Sequence, residues 1–251
     1  MNKKLTYQLI KTKEISSEQF SRMFNLMHEN YDYVTFDNFC NDLKHKTFAG
    51  LLFDEDSDIQ GFTTFGINPK EYKHKDYNIL FSGDTVVSSS YIGSQELGKG
   101  WCRTVGMLLS KYPDKKWMWY LMSKGYKTYL YLPFFFNKFY PSPSIIEHKD
   151  YSLIIDECST HFFGDDWKSN EGIVRFKDRL GQVKKEHAEK SFRKNNEYVD
   201  FFLRKNPGFV DGDEMVCMAE LSLNNFKRYP RRIISKVIES SQDFEFNIDE
   251  R

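Results

Sequence analysis

The most informative pattern in the sequence runs from Val86 to Leu109, VVSSSYIGSQELGKGWCRTVGMLL. It starts with the end of an apolar strand, passes through a turn that contains Gly93, and continues into a helix with its apolar residues on one side. Such a succession forms an anion site, because the free N–H groups of the first helical turn point at the ligand and the helix dipole favours negative charge. Glycine in the turn lets the backbone approach a phosphate closely. The stretch therefore predicts a mixed α/β fold with a phosphate-binding turn.

The residues before this stretch predict strands and helices in a mixed order. Ser16 or Ser17 offers an N-cap for a helix whose apolar residues recur at spacings of three and four. Two apolar runs joined by an acidic turn indicate a hairpin. The predicted elements are a strand at 7–11, helices that include 20–31 and 35–44, hairpin strands at 47–53 and 60–67, a charged loop at 70–76, and a strand at 78–87 that is interrupted at 82–84. Gly83 at this interruption indicates either a bulge or a close backbone approach.

The residues after Val87 continue this alternation. The predicted elements are a helix at 95–112, a buried strand at 117–122, and an aromatic helix at 126–140 that bends at Pro133. The pattern beyond residue 145 predicts a strand at 151–155, a helix marked by 173–183, a charged helix to about 203, and a strand within 209–223. The order over the first part of the chain indicates one mixed sheet with helices beside it.

The overall composition excludes several classes of protein. The 36 Lys and Arg residues balance 36 Asp and Glu residues, whereas dedicated nucleic-acid binders carry a basic excess. A hydrophobic share of 40% excludes a disordered chain. The four cysteines are widely spaced and form no CxxC motif, which indicates reduced thiols in a reducing compartment. Because there is neither a signal peptide nor an apolar run of about 20 residues, we expect a cytoplasmic protein without a membrane span.

Residues 95–100, QELGKG, fit the pattern Q/R-x-x-G-x-G/A. With this motif and the predicted element order over residues 5–145, the chain resembles the GNAT superfamily of acyl-CoA N-acyltransferases. In that family the pattern follows the fourth strand, and its amides bind the cofactor pyrophosphate. The resemblance implies a GNAT-like central mixed sheet flanked by helices, a coenzyme A thioester as co-substrate, and no metal.

The resemblance leaves two registers for the phosphate loop. The string match places the loop at 95–100, whereas the distance from the strand end favours the turn at 91–94, where Ser90 replaces the Gln or Arg of the family. We prefer the earlier turn. The residues that would contact the cofactor are Val86, Val87, Tyr91, Gly93, Ser94 and Gln95, with Gly98 and Gly100 from the second register and Lys124 as a phosphate contact.

The resemblance also implies a base and an acid, because GNAT enzymes often use a carboxylate of the central strands and a Tyr on the helix after strand five. Asp84 matches the base, and partial burial would raise its pKa toward neutrality. The alternative is that Asp84 caps a bulge or pairs with a cation. Tyr126, Tyr129 and Tyr131 are the candidates for the acid, and Tyr129 matches the position of the family's Tyr. The alternative for Tyr129 is a place in the core. Lys124 has the alternative of an exposed charge.

Three further patterns leave alternatives open. The aromatic run at 134–140 would line a pocket for a long acyl chain or fill a large core. Cys158 and His161 have the spacing of metal ligands but lack a second pair, which argues against a zinc site. The basic stretch at 177–205 would grip a cofactor phosphate, an acyl-carrier protein or RNA, or form a solvated helix.

These observations predict a GNAT-like acyltransferase core at 1–145 and a C-terminal α/β extension at 146–251 packed on it. The predicted function is transfer of an acyl group from acyl-CoA or an acyl-carrier protein to an amine, by direct attack in a ternary complex. The alternative is a catalytically idle GNAT-like module that holds a lipid or a protein partner, as the degenerate loop motif suggests.

Overall fold

The computed structural model describes residues 4–72, 75–144, 149–177, 182–184 and 196–240. Within these ranges the strands are β1 (Thr6–Lys11), β2 (Tyr31–Asp32), β3 (Phe48–Phe53), β4 (Ile59–Tyr72), β5 (Lys75–Val87), β6 (Lys116–Ser123), β7 (Trp167–Lys168), β8 (Ile173–Val174), β9 (Gln182–Val183) and β10 (Glu214–Glu220). The α-helices are α1 (Ser17–Asn30), α2 (Phe36–Lys44), α3 (Glu96–Lys111), α4 (Tyr126–Tyr129), α5 (Tyr131–Phe135), α6 (Lys149–Phe163), α7 (Glu197–Lys205) and α8 (Arg228–Glu239). No helix among these combines the length and the apolar character needed to cross a membrane.

Eight of the strands form one mixed sheet in the order β1-β3-β4-β5-β6-β10-β8-β7. β5 and β6 are parallel, and the other neighbours in the sheet are antiparallel. The predicted class, a mixed sheet flanked by helices, is therefore confirmed. β10 lies beside β6, so the sheet continues across the domain boundary predicted near residue 145.

Helices cover the two faces of the sheet differently. On the first face, α3, α4, α5, α7 and α8 pack over one large aromatic cluster that includes Trp101, Trp119 and Phe136. On the second face, α1 and α2 cover the β1–β5 half of the sheet, and α6 covers the half formed by β5, β6 and β10. A groove separates these two groups of helices on the second face, and the candidate site lies in it.

Local sequence explains the two helices that border this groove. Ser16 accepts a hydrogen bond from the Gln19 amide at 3.2 Å, and the Gln19 side chain accepts one from the Ser16 amide at 2.9 Å. This capping box starts α1. Thr35 accepts a hydrogen bond from the Asn38 amide at 3.3 Å and starts α2. The rings of Phe20 and Phe39 lie 5.2 Å apart and hold the two helices together.

The aromatic helix predicted at 126–140 is interrupted. It divides into α4 and α5, and the chain then leaves helical geometry because Phe136 and Tyr140 form bridges with Phe226 and Met218. Phe135, Phe136 and Phe139 are buried in the main core, whereas Phe134 is 55% exposed. The run therefore fills the core on the first face.

Several predictions for the rest of the chain are wrong. Residues 151–155 belong to α6, since a five-residue apolar run is compatible with either structure. Ile173 and Val174 pair with β10 and are a strand, not the helix predicted there. The charged loop expected at 70–76 is largely strand, in β4 and β5, with 73–74 outside the described residues. Helix α8 was not predicted, and most of the charged helix before residue 196 falls outside the described residues.

Candidate active site

A bulge in β5 places Asp84 at the end of the groove. Thr64 is paired with Gly83 and Phe62 with Val86, so Asp84 and Thr85 together oppose the single residue Thr63. Asp84 has a φ of +36°, a left-handed conformation that costs energy for a residue other than glycine. The bulge expected from Gly83 is therefore present, and it carries a strained carboxylate residue.

The same bulge opens a gap between the two parallel strands. The β5–β6 pairing runs from Tyr77 with Lys116 to Ser82 with Leu121 and ends there. Beyond it β5 pairs with β4, and β6 pairs with β10. Residues 83–87 thus form a strand edge beside a cleft of about 280 Å³. An unpaired strand edge offers N–H and C=O groups to an extended ligand that carries amides.

A pair of carboxyl groups lies at this cleft. The side chain of Asp84 is hydrogen-bonded to that of Asp42, which lies near the end of α2. Thr64 Oγ1 lies 3.4 Å from Asp84 Oδ2 and donates to it. Lys46 Nζ donates to both oxygens of Asp42 at 2.6 Å, and this lysine side chain is only 5% exposed. The four side chains form one connected network.

The environment shifts the two carboxyl groups in opposite directions. Burial raises the pKa of Asp84 well above its usual value, and the charge of Asp42 and the hydrogen bond to it act the same way. Burial also opposes ionisation of Asp42, but the hydrogen bond from Asp84 and the charge of Lys46 outweigh it, so the pKa of Asp42 is lowered. The pair therefore shares one proton and carries one negative charge.

A second ion pair closes the cleft on the β6 side. Lys124 Nζ lies 3.1 Å from the carboxylate of Glu214 and 5.7 Å from the centre of the Tyr31 ring. The Tyr31 hydroxyl donates to the carbonyl of Thr85 at 3.2 Å, and burial raises the pKa of this phenol. Lys124 thus faces the same cleft as Asp84, and its charge opposes the rise in the pKa of Asp84.

The predicted phosphate loop follows directly from the strand edge. After Val87 the chain makes a short 3₁₀ turn at Ser89–Tyr91, and Gly93 has a φ of +92°, which favours glycine. A Cβ at Gly93 would meet no atom within 4 Å, so the loop is open on that side. Tyr91 anchors the turn through its hydroxyl, which donates to Asp54 at 3.2 Å.

The start of α3 leaves amide groups available. The amide of Glu96 donates to Ser94 Oγ at 3.3 Å, and the amide of Lys99 donates to the Gln95 carbonyl. Among the described residues, the amides of Leu97 and Gly98 have no hydrogen-bond partner, as expected for the first turn of a helix. These amides, with the glycine turn before them, are compatible with a bound diphosphate.

Glu96 opposes this use of the helix end. Its carboxylate lies in the first turn, is 14% exposed, and pairs with Arg103 at 2.6 Å and with Lys99 at 3.5 Å. A carboxylate there competes with an incoming anion for the positive end of the helix dipole. Arg103 and Lys99 supply two positive charges that offset it.

The two loop registers differ in what surrounds their glycines. A Cβ on Gly100 would lie 2.1 Å from the Tyr7 ring, so Gly100 permits close packing of α3 on β1. A Cβ on Gly98 would meet Phe135 at 3.4 Å, an ordinary contact. Gly93 is the glycine of this stretch with a positive φ and an open side. These positions favour the earlier register.

Tyr129, predicted as the acid, lies away from the cleft. Its side chain is fully buried in the core of the first face, where its hydroxyl donates to the Pro141 carbonyl at 2.9 Å. Burial raises its pKa far above the usual value for tyrosine. We therefore do not retain Tyr129 as the acid, because it reaches neither Asp84 nor the gap. Cys158 is a buried residue of α6, and no metal-binding group is found among the described residues.

Sequence reasoning missed the partners of Asp84. Asp42 and Lys46 are four residues apart, a spacing that predicts an ion pair at the end of a helix. Nothing in that spacing places them against a strand some forty residues later. Tyr31 and Glu214 were missed for the same reason, since the sheet topology brings them to the cleft.

Comparison with known proteins finds distant structural matches only. No protein-family profile matches the sequence, and no curated protein is detectably similar to it. The solved structures with a similar chain course include a conserved protein of Enterococcus faecalis V583, described as a probable N-acyltransferase, at a TM-score of 0.40 and 16% identity over 50% of this chain and 31% of that one. They also include the GNAT family N-acetyltransferase YhbS of Escherichia coli in complex with CoA, at a TM-score of 0.39 and 12% identity, with 54% of this chain and 69% of that one covered. A third is Escherichia coli ElaA, at a TM-score of 0.38 and 17% identity, with 56% of this chain and 95% of that one covered.

Proposed function

We propose that this chain transfers an acyl group from a coenzyme A thioester to an amine. The observation that carries the proposal is the Asp42–Asp84 pair, set at the point where β5 and β6 separate and directly before a glycine turn that leads into a helix. The end of β5 thus brings together Asp84 with its partner Asp42, an open strand edge and the glycine turn that follows.

The donor side is formed by the strand edge and the loop. A coenzyme A thioester carries two amide groups in an extended arm and a diphosphate beyond them. The edge at 83–87 would pair with the arm, and Gly93, Ser94 and the first amides of α3 would hold the diphosphate. The residues fit this ligand in order along the chain, because the edge leads directly into the loop.

The carboxyl pair would serve as the base. Amines are protonated near neutral pH, so the attacking nitrogen must first lose a proton to the negatively charged Asp42–Asp84 pair. The nitrogen lone pair then forms the C–N bond at the thioester carbonyl, and the C–S bond breaks with its electrons on sulfur. The nitrogen loses its second proton as the amide forms, and the thiolate takes up one proton to become a thiol.

The experiment is a thiol-release assay with acetyl-CoA and a panel of primary amines. We expect amine-dependent thiol release by the full chain and a loss of about 100-fold or more in Asp84→Asn, since general base catalysis contributes about 10² to 10⁴. Asp114→Asn changes an exposed carboxylate in the turn after α3 and is the matched control, with unchanged turnover expected. Equal turnover in Asp84→Asn and wild type would refute the assignment of the base.

Glu96 favours a second candidate function, a GNAT-like module without catalytic activity. Its carboxylate stands at the helix end that the diphosphate would use. If the module has lost its cofactor, Glu96→Gln leaves CoA affinity undetectable. If the loop binds CoA against this charge, removing the charge raises the affinity several-fold, because the helix dipole then acts on the diphosphate alone. A titration of both proteins with CoA separates the two functions.

A further inference from the structure

A larger groove continues from the candidate site along the second face of the sheet. It has a volume of about 810 Å³ and lies between α2 and α6, with β1 and the turn after it at its rim. Four residues line both this groove and the smaller cleft: Asp42, Lys46, Phe81 and Phe163. The groove therefore opens onto the carboxyl pair, and its volume suits a small-molecule ligand.

The groove has a net positive charge. Lys11 and Lys13 reach it from the end of β1, and Lys44 from the end of α2. Among the described residues none of these three lysines has an ion-pair partner, and the one carboxylate that lines the groove, Asp42, is bound to Lys46. His45 and His161 stand at the same rim and are exposed. Lys44 Nζ donates to the uncharged Asn41 side chain at 3.3 Å, so no described carboxylate neutralises any of the three charges. Three such cations around one cavity favour an anionic occupant.

The remaining wall of the groove is aromatic. Phe162 and Phe163 of α6 and Phe81 of β5 line it, and the rings of Phe81 and Phe162 are 6.4 Å apart. An occupant would therefore have an apolar part between its charged ends.

The direction of β5 separates this groove from the proposed donor site. Phe81 precedes Asp84 by three residues, and the glycine turn follows Asp84 by nine. At about 3.3 Å per residue, Phe81 lies roughly 10 Å from Asp84 along the strand, on the side away from the loop. Donor and acceptor would then reach the carboxyl pair from opposite ends of the strand.

We propose that the acceptor is an amine with an anionic group, a phosphate or a carboxylate, at its other end. The amine would lie at the Asp42–Asp84 pair, the anion among Lys11, Lys13 and Lys44, and an apolar segment of roughly 10 Å against the phenylalanines. This inference rests on the proposed function, because the amine is an acyl acceptor only if the chain transfers an acyl group. Binding of the amine in the groove is tested without any thioester.

The experiment is a titration of the ¹⁵N-labelled full chain, followed by NMR, with three amines of similar length. Aminopentyl phosphate, aminocaproate and pentylamine differ in the group opposite the amine. We expect the amides of Thr12, Lys13, His45 and Thr47 to shift with an anionic amine, at an affinity about tenfold or more above that of pentylamine. The tighter of the two anionic amines identifies the group as phosphate or carboxylate. Equal affinity for all three, or shifts confined to residues 93–98, would overturn the proposal.

A charge-removal variant and its control test the assignment to these lysines. Lys11→Gln, Lys13→Gln and Lys44→Gln together should weaken binding of the preferred anionic amine about tenfold or more. The control combines Lys111→Gln, Lys115→Gln and Lys236→Gln, three exposed lysines outside the groove, and should stay within about twofold of wild type. An unchanged affinity in the groove variant contradicts the proposal. Failure of thiol release with intact amine binding would instead contradict the acyl-transfer function alone.

Discussion

Replacing Asp84 by Asn should stabilise the protein near neutral pH while removing its activity. Burial raises the pKa of Asp84 well above its usual value, so the folded protein binds this proton more tightly than the unfolded chain does. The stability that this proton contributes is therefore fully present below the pKa that Asp84 has in the unfolded chain. It is lost as the pH rises through the pKa that Asp84 has in the folded protein. Asparagine has no charge to bury and escapes this loss.

The local geometry permits the substitution without a compensating penalty. Asparagine tolerates a positive φ better than most residues, and Asp84 sits at +36°. Its amide can donate to Asp42 in place of the protonated carboxyl. Each pKa unit by which the folded value exceeds the unfolded one is worth about 1.4 kcal/mol at neutral pH. For a chain of this size, each kcal/mol raises Tm by about 2 to 4 °C.

Thermal unfolding of wild type and Asp84→Asn from pH 4 to pH 8 is the assay. We expect equal Tm values at the acid end and a gap that widens in favour of the variant as the pH rises. Asp42→Asn should have the opposite effect, because it leaves the buried Lys46 ammonium without its carboxylate. Since Asp42 is itself 45% exposed, we expect a loss of about 1 to 3 kcal/mol. An Asp84→Asn variant that is less stable at pH 8 would refute the assignment of a buried, proton-holding carboxyl.

Three other substitutions separate structural from functional roles. Gly100→Ala brings a Cβ within 2.1 Å of the Tyr7 ring and should lower the free energy of unfolding by about 1 to 3 kcal/mol. The CoA affinity of the folded protein should not change. Lost CoA binding at unchanged Tm would instead favour the later loop register. Gly98→Ala is the matched control, two residues earlier in α3, where there is room for the methyl group. Its free energy of unfolding in chemical denaturation should rise by about 0.5 to 1 kcal/mol. A decrease would contradict the open geometry at Gly98. Tyr129→Phe removes the hydrogen bond to Pro141 and should cost about 1 kcal/mol in the same measurement, with unchanged turnover; a turnover loss of 100-fold or so would restore it as the acid.

The sheet and its first helices could be predicted from local patterns. The capped helix at Ser16, the hairpin with its acidic tip and the buried strand WMWYLM each have a strong periodic or turn signal, and the structure contains all three. The C-terminal part was harder, because two-residue strands such as Ile173–Val174 form by pairing with β10 and leave no periodicity of their own. The continuous helix predicted after Gly125 is wrong, because long-range bridges to Phe226 and Met218 override the helical pattern of the aromatic run.

The site could be predicted only in part, because its residues come from elements that are far apart in the sequence. Asp84 was identifiable because it stands beside a glycine within a strand, and that local signal marks a bulge. Its partner Asp42 lies on a different element, and only the packing of α2 over β5 brings the two carboxyl groups together. The basic groove likewise depends on lysines from two elements that the fold makes adjacent.

Isothermal titration of the full chain and of Gly93→Trp with CoA and acetyl-CoA would show whether a thioester site lies at the end of β5. The side of Gly93 is open, so an indole there should not disturb the core, whereas its bulk and the φ of +92°, which disfavours tryptophan, should both disrupt the loop. We predict saturable binding of both ligands to wild type and a loss of about tenfold or more in affinity in the variant. Undetectable binding to wild type, or equal affinity in wild type and Gly93→Trp, would contradict a thioester site at the end of β5.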